Sequence, residues 1–423
     1  MTYSTPNEFV KEWVDVFTSD YSYKNPLYGR GALHVALGRC LINQRIKKRG
    51  SYTSPRVSMF YLQGPSSGKS SGYSMIHEVI DSLNIEIDSP DEMTDAALIG
   101  TVERTMDENG DETWEVEEGI LSEVEVFHLD EASVLINPKD YQQNMMTYLQ
   151  KALNPIGSEQ NKITKSLAHG DEIVVRPNCS LILTSYMPEG IEDTVLNTGF
   201  LQRMLVFPRD LTIEDRIDQT ELDIQALGED RKESNLQDLI NELKRIRNHY
   251  KEPMEFSWDK AKPTFVKYQR DMYDEIRDTP IEVRSVLEGF IPRMLEQLTR
   301  LAFHYCCMRR DTEIQPRDVR NAAPLMMTSL HMIIYWLEEN PQLRGGNENT
   351  SDATSRFRGF LKVVEESDPV SGEYYGMRDL LDGLEKVWNL SETSCYRWIN
   401  VFDDKGWISV REKSNTKYVK VTQ

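Results

Sequence analysis

The sequence predicts an α/β fold: a parallel β-sheet, then a helical region and a C-terminal winged-helix domain. In the first half of the chain, short apolar runs alternate with segments of helical periodicity, as in sheets whose parallel strands are joined by helices. Beyond about residue 210 the patterns are helical, until a hairpin pattern closes the chain. We therefore expect a sheet-containing core with a short helical N-terminal extension over 1–209, a helical lid over 210–343, a linker over 344–354 and a winged-helix domain over 355–423.

The composition is that of an ordinary globular protein. Its 423 residues, 39% hydrophobic and 28% charged, allow two or three domains that each bury a core. No run approaches the roughly 18 apolar residues of a membrane span. The N-terminus also lacks the basic and apolar regions of a signal peptide. We expect a cytoplasmic protein with no membrane role.

Cysteine spacing and net charge narrow the function classes further. The five cysteines form no C-x-x-C pair, so we expect reduced, mostly buried thiols and neither a zinc site nor a disulfide framework. The net charge of −20 argues against a uniformly basic nucleic-acid surface. The net charge does not exclude a local basic channel or hairpin.

The first strand leads into a candidate phosphate-binding loop. Helical patterns over 6–19 and 27–47 precede the apolar strand Met59–Leu62, and a further helical pattern begins at Ser71. Backbone N–H groups of such a loop and of the following helix N-terminus point at an anion. The residues predicted to bind the nucleotide are Gly64, Pro65, Ser66, Ser67, Gly68, Lys69 and Ser70.

This loop fits the pattern G-x-x-x-x-G-K-[ST] except at its first position, where Gln63 replaces glycine. In that pattern Lys69 contacts the β- and γ-phosphates, and the Ser70 hydroxyl binds Mg²⁺. The remaining glycines, Gly64 and Gly68, still permit close approach of a backbone. The alternative is a Gly/Ser turn that contains a lysine by chance.

A second strand, Val124–Leu129, ends in two carboxylates, Asp130 and Glu131. Hydrolysis of ATP needs one acid that positions Mg²⁺ and its water shell, and another that orients the attacking water. We assign Asp130 to the metal and Glu131 to the water. Acid pairs at strand ends are also common by chance, so this motif depends on the loop upstream.

A third strand, Ser180–Leu183, ends in the hydroxyls of Thr184 and Ser185. We expect it to lie between the other two strands and to aim a polar group at the γ-phosphate and the attacking water; a plain buried strand is the alternative. Arg203 stands just ahead of the apolar run Leu205–Phe207. It could stabilise transition-state charge on a neighbouring subunit's nucleotide, or make an ordinary surface salt bridge.

The C-terminal part combines helices with a basic hairpin. Helical patterns cover 236–249, 264–277, 283–308 and 316–339, and three more precede a terminal hairpin within 355–423. From residue 405 onward the sequence contains five lysines and arginines and one glutamate. We expect Arg411, Lys413 and Lys417 to contact DNA phosphates from this wing. Asp403 and Asp404 beside it leave protein contacts as the alternative.

In this order, the motifs resemble those of an AAA+ ATPase, and more narrowly of the minichromosome maintenance (MCM) group of replicative helicases. The resemblance covers about 25–335, without the N-terminal collar domain of that group. Its most specific parts are the segments 94–100 and 114–121, similar to a hairpin inserted in helix 2, and 291–302, similar to the lid helix. Segments 25–29 and 161–177 resemble the entry to the ATPase core and the pre-sensor-1 hairpin.

The resemblance implies ATP and Mg²⁺ as cofactors. It makes Arg203 an arginine finger and Arg293 a sensor-2 residue, both acting across a subunit interface. It also makes Lys165, with Lys162, a pore-hairpin contact to DNA, although a solvated hairpin is the alternative. The asparagine of sensor 1 is missing, with Thr184 or Ser185 in its place.

The expected function is therefore that of a homo-hexameric ATP-dependent DNA helicase or translocase in replication. It would act on single-stranded or forked DNA without sequence preference, with a loader or primase as a further partner. One alternative is an ATP-switched origin-binding initiator or helicase loader that does not unwind DNA. Another is a scaffold that no longer turns over nucleotide.

Overall fold

The computed structural model forms two compact units, residues 1–343 and 344–423. It describes residues 5–20, 26–48, 50–63, 69–89, 94–106, 112–132, 135, 144–166, 172–186, 199–208, 212–225, 227, 233–340, 357, 360–364, 367, 369, 374–388, 392–404, 407–413 and 416–422. The predicted linker, 344–354, lies outside the described residues.

The strands and helices follow in chain order. The strands are β1 (Ile46–Lys48), β2 (Ser51–Thr53), β3 (Met59–Leu62), β4 (Ile87–Asp88), β5 (Gly100–Met106), β6 (Glu112–Glu118), β7 (Val126–Leu129), β8 (Ile163–Ser166), β9 (Glu172–Val175), β10 (Ser180–Ser185), β11 (Leu205–Pro208), β12 (Tyr375–Gly376), β13 (Ile408–Lys413) and β14 (Thr416–Val421). The helices are α1 (Pro6–Asp20), α2 (Pro26–Cys40), α3 (Lys69–Ser82), α4 (Asp95–Ile99), α5 (Ile120–Glu123), α6 (Met145–Ala152), α7 (Ile213–Gln225), α8 (Glu233–His249), α9 (Lys262–Arg277), α10 (Ile281–Met308), α11 (Pro316–Glu339), α12 (Met377–Trp388) and α13 (Glu392–Asp404).

A five-stranded parallel sheet forms the centre of the first unit, so the fold is α/β. Its strand order is β11–β3–β10–β7–β4, and every pairing in it is parallel. The strands β3, β7, β10 and β11 are buried along their whole length, which explains their uninterrupted apolar sequence. The prediction that β10 lies between β3 and β7 is confirmed.

Several element predictions need correction. The helical pattern over 27–47 ends at Cys40, and the residues from Ile46 pair with β2 in a short antiparallel hairpin. The strand predicted from Val124 begins at Val126. The helix α7 and the two-residue strand β4 were not predicted, because α7 is strongly polar and β4 is too short to show a pattern.

Glycines let helix α2 lie close to the sheet and to α3. A Cβ atom at Gly31 would stand 2.7 Å from Met59 Sδ, and one at Gly72 would stand 2.7 Å from a ring carbon of Tyr28. Neither distance is possible for a real side chain without displacement of its neighbour. The start of α3, which follows the candidate phosphate-binding loop, is thereby fixed against α2.

The long helices α10 and α11 pack on the same core as the sheet. Ser329 of α11 donates a buried hydrogen bond of 2.7 Å to the carbonyl of Val206 in β11. His304 of α10 donates from Nε2 to the Pro55 carbonyl at 2.8 Å, so its Nδ1 accepts from His34 Nδ1 of α2 at 3.0 Å. Burial lowers the pKa of both imidazoles, that of His304 to about 4, so the pair is neutral.

Two antiparallel hairpins are inserted in the first unit, where the resemblance predicts them. One pairs β5 with β6 between the short helices α4 and α5, and the other pairs β8 with β9 ahead of β10. Gly100 begins the first hairpin at φ +113°, where an added Cβ would lie 2.3 Å from the Glu117 carbonyl oxygen. Only glycine fits this position without strain.

The second unit has its own hydrophobic core. A three-stranded antiparallel sheet of order β12–β14–β13 packs with α12, α13 and the helical residues 360–364. The predicted terminal hairpin is confirmed as β13–β14. Across the described residues of both units, no helix is long and apolar enough to span a membrane.

Candidate functional site

Carboxylates and hydroxyls meet at the carboxyl edge of the central sheet. The Thr184 hydroxyl at the end of β10 lies 2.8 Å from Asp130 Oδ1 and also contacts the Asp130 carbonyl oxygen. The neighbouring Ser185 hydroxyl donates to Glu131 Oε1 at 3.1 Å. The hydroxyls are buried while both acidic residues are exposed. Each carboxylate is therefore held by a buried hydroxyl and remains accessible to a ligand.

The candidate phosphate-binding loop starts beside these groups. The backbone N–H of Gln63 donates to the Ser185 carbonyl at 3.0 Å, and Gln63 is fully buried. Gly64, Pro65, Ser66, Ser67 and Gly68 lie outside the described residues. Lys69 and Ser70 form the first turn of α3, but their side chains are likewise not described.

Three aromatic rings join α3 to the strand that carries the carboxylates. The Tyr73 ring of α3 lies 4.3 Å from His128 of β7 and 3.9 Å from His77, measured between centroids. His128 is fully buried, and burial lowers its pKa to about 3, so the ring is neutral. Sequence reasoning missed this contact, because a histidine inside an apolar strand gives no signal of its partner. It fixes α3 relative to Asp130, two residues beyond His128.

Arg203 and Arg293 lie together in a separate basic cluster. The Arg203 carbonyl accepts a hydrogen bond from Gln297 of α10, and its guanidinium donates to the Gly199 carbonyl. Arg293 lies one helical turn before Gln297, and its Nη1 atom is 3.1 Å from Glu296 Oε2. Burial, and to a smaller extent the positive charge of Arg293, lowers the pKa of Arg203.

Glu296 is the carboxylate at the centre of this basic cluster. It contacts Lys48 Nζ at 2.6 Å and Arg300 Nη2 at 3.5 Å in addition to Arg293. Burial alone would raise the pKa of Glu296, but these cations lower it to about 2. The carboxylate is therefore ionised, and the surrounding cations outnumber it.

The carboxylates and the basic cluster lie at opposite edges of the sheet. Arg203 precedes β11, and together with Cys179, which precedes β10, it lines a pocket at the amino ends of the strands. Ser185, which contacts Glu131, is six residues beyond Cys179 along an extended strand. At ~3.3 Å per residue this is about 20 Å. One arginine side chain cannot span that gap, so Arg203 does not meet Glu131 within one chain.

The two lysines of the predicted pore hairpin have different surroundings. Lys162 precedes β8 in extended conformation and Lys165 lies within β8, so their side chains leave the hairpin on opposite faces. Lys165 Nζ donates to the Gly100 carbonyl at 3.3 Å, at the base of the other hairpin. The structure thus joins the two inserted hairpins through Lys165 and does not bring the lysines together.

In the second unit, the basic hairpin divides between two faces. Arg411 and Lys420 lie 5.5 Å and 6.0 Å from the centroid of the Tyr374 ring, on the face opposite the buried Val419. Lys417 lies on the other face, where it contacts the Tyr396 hydroxyl and lies 5.0 Å from the ring centroid.

Lys413 is paired with Thr416 in the hairpin register, and its side chain is not described. Lys405 lies outside the described residues. Of the three predicted DNA contacts, Arg411 is therefore exposed on the outer face, and Lys417 is held by an aromatic residue of α13.

The burial expected for the cysteines is confirmed, since all five are buried and are present as thiols. The described residues contain no group of three histidine, cysteine, aspartate or glutamate side chains that could hold a metal. A comparison with protein-family models and with curated proteins finds no match for this chain.

Proposed function

We propose that the chain is an AAA+ ATPase that assembles into a homo-oligomeric ring, in MCM-like fashion, and uses ATP hydrolysis to move along DNA. The observation that carries this proposal is the paired contact at one sheet edge, Thr184 with Asp130 and Ser185 with Glu131. The strand β10 brings these hydroxyls between the loop strand and the carboxylate strand, which is the arrangement that the resemblance requires.

The residues at this edge fit a magnesium nucleotide. Hard cations such as Mg²⁺ prefer carboxylate and hydroxyl oxygens, and Asp130 presents an exposed carboxylate beside a loop of phosphate-binding pattern. In the proposed site Ser70 and Asp130 hold Mg²⁺, while Lys69 and the loop backbone hold the phosphates. Bound Mg²⁺ would neutralise charge on the phosphate oxygens.

The remaining polar groups act on the attacking water and on the two carboxylates. Glu131 accepts a hydrogen bond from the attacking water and orients it, and Ser185 fixes the carboxylate in place through the 3.1 Å hydrogen bond. Thr184 does the same for Asp130. Together the two hydroxyls substitute for the sensor-1 asparagine that the chain lacks.

The distance between the two sheet edges supports an oligomer. Because Arg203 and Arg293 lie about 20 Å from the carboxylates of their own chain, they reach a nucleotide only if it is bound by a neighbouring copy. Such a site is complete only between two subunits. Each subunit would then contribute its carboxylate edge to one neighbour and its basic edge to the other.

DNA contact is assigned to the inserted hairpins and to the second unit. The helices and antiparallel hairpin of that unit support a winged-helix domain, and its outer face carries Arg411 and Lys420 beside Tyr374. These cations contact phosphates without reading bases, so binding is sequence-independent and weakens with salt.

Strand displacement on a forked DNA tests the proposal. Wild-type protein is expected to hydrolyse ATP and to displace the strand, while Glu131→Gln and Lys69→Ala lose both activities. Glu252→Gln, which changes an exposed glutamate outside the sheet, is the matched control and keeps both. ATPase activity without displacement would instead support an initiator or loader. Absence of ATPase activity in folded wild-type protein would refute the proposal.

A further inference from the structure

Three arginines line a pocket at the amino edge of the central sheet. Arg56 comes from the segment before β3, Arg203 from the segment before β11, and Arg300 from helix α10. Ser54, Ser58 and Cys179 complete its polar lining. Arg56 and Arg300 are buried, whereas Arg203 is partly exposed.

Arg56 is a buried cation held by neutral groups. Its guanidinium donates to the Ser54 hydroxyl at 3.1 Å, to the Cys179 carbonyl at 2.7 Å and to the Asn154 carbonyl at 2.8 Å. Among the residues that the structure describes, no carboxylate forms an ion pair with it. A buried charge without an ionic partner is unfavourable, so the position favours an anion from outside the chain.

Arg300 has a carboxylate, but it shares that carboxylate with other cations. Glu296 contacts Lys48 and Arg293 more closely than it contacts Arg300. The Arg300 Nε atom is buried and has no hydrogen-bond partner within the described part of the chain. Burial and repulsion between these cations lower the pKa of Arg300, and those of Arg56 and Arg203 as well.

We propose that this pocket binds a tetrahedral oxyanion of the phosphate class. The cavity has room for about one water molecule, so one oxygen of the anion enters between Arg56 and Arg300. The other oxygens remain at the mouth beside Arg203 and Ser54. Arginine suits this ligand because its planar donors match the oxygens of phosphate in pairs.

An anion in this pocket would tie three parts of the first unit together. Arg56 is fixed to the backbone around β10, Arg300 moves with α10, and Arg203 is held by Gly199 and by Gln297 of α10. The binding site lies at the opposite edge of the sheet from the candidate phosphate-binding loop. Phosphate bound here is therefore separate from nucleotide bound to the loop of the same chain.

Titration calorimetry with inorganic phosphate tests the site in the full-length chain. The Lys69→Ala background weakens phosphate binding at the loop, and wild-type-like circular dichroism confirms that each variant is folded. We expect saturable binding of one phosphate per chain. Arg300→Gln is expected to weaken binding at least tenfold, and Arg203→Gln, at a partly exposed position, should do the same with less risk to folding.

The matched control is Arg176→Gln, which removes an exposed arginine that pairs with Glu159. It should leave phosphate binding unchanged. Sulfate should compete with phosphate, whereas chloride at equal ionic strength should not.

Three results would show that the pocket is not an anion site. They are absence of saturable binding to the folded Lys69→Ala chain, binding that survives both Arg300→Gln and Arg203→Gln, and binding that appears only at concentrations where the chain self-associates. Equal competition by chloride would refute the assignment to an oxyanion.

Discussion

Mixing two inactive variants gives the sharpest test of a site shared between subunits. Glu131→Gln removes the carboxylate proposed to orient water at one sheet edge, and Arg203→Ala removes the arginine at the other. Each variant alone should lose most ATPase activity, with a loss for the arginine on the order of 10³-fold. If the two groups act on one nucleotide from different copies, a mixture should recover activity that neither variant has.

The recovery can be calculated from the geometry. Because about 20 Å separates the two edges of one chain, every complete site in the proposed assembly would take Glu131 from one subunit and Arg203 from the next. In a randomly mixed 1:1 assembly, half of the subunits retain Glu131 and half retain Arg203. Roughly a quarter of the interfaces then carry both groups in the required order, as expected for a head-to-tail interface.

The assay is steady-state ATP hydrolysis after the two variants are unfolded and refolded together. Native mass spectrometry of a size-tagged variant shows that the assemblies are mixed. Arg176→Ala mixed with Glu131→Gln is the control. The activity of this mixture should come only from the interfaces that retain Glu131. If mixed assemblies form and no activity returns beyond the sum of the separate variants, the assignment of Arg203 to a neighbouring copy is wrong.

Three further predictions follow from individual contacts. Thr184→Val should slow ATP turnover about 10-fold or more, whereas Thr184→Ser should preserve it, because serine keeps the hydroxyl that contacts Asp130. Steady-state kinetics measure the turnover, with circular dichroism as the folding control. Normal turnover by the valine variant would contradict the prediction. Buried neutral His34 and His304 bind fewer protons in the folded than in the unfolded chain. The free energy of unfolding should therefore be retained above pH 6.5 and should fall from pH 6.5 towards pH 4 by about 1.4 kcal/mol per pH unit for each histidine. Urea melts at pH 7, 6 and 5 should show this slope, and a slope unchanged by His304→Gln would refute it. Arg411→Gln should weaken DNA binding and reduce the slope of log K against log salt by about 1, whereas Lys417→Gln, at a lysine held by an aromatic ring, should have less effect in fluorescence anisotropy titrations.

The sequence predicts the central strands well because their physical signal is local. The strands β3 and β10 are buried on both faces, so each appears as a short apolar run ended by polar residues. The hairpin of β1 and β2 lacks this signal, because its residues are mostly exposed and its antiparallel pairing is set by the turn between them. Helix α7 has few apolar residues, and its exposed isoleucines, Ile213, Ile217 and Ile224, do not form a strong core-facing stripe.

The candidate site divides in the same way. Asp130, Glu131, Thr184 and Ser185 could be assigned because they lie at or just beyond the ends of apolar strands, and parallel strands present their carboxyl ends at one edge. The arginine pocket could not be predicted, since Arg56 and Arg300 are 244 positions apart in the sequence and meet only after α10 packs on the sheet. The contact of Lys165 with Gly100 depends likewise on the packing of two separate hairpins.

The polarity of a parallel sheet connects the proposed chemistry to the proposed assembly. Every strand in the central sheet runs in the same direction, which places Asp130 and Glu131 at its carboxyl edge and Arg203, with Arg293 of α10 near it, at its amino edge. In the proposed assembly two such unlike edges would attract each other head to tail, whereas a two-fold dimer would bring like edges together. A head-to-tail contact either closes into a ring or continues as a filament, depending on the rotation between copies.

Native mass spectrometry with Mg²⁺ and a slowly hydrolysed ATP analogue distinguishes these outcomes. A single discrete oligomer indicates closure, and an open ladder of masses indicates a filament. Arg293→Glu should break the assembly by placing like charges across the contact, and Glu131→Lys should do so from the opposite edge. Combining Arg293→Glu with Glu131→Lys should restore part of it. If the assembly is indifferent to both single changes, the two edges do not meet, and the proposed composite site cannot form between copies.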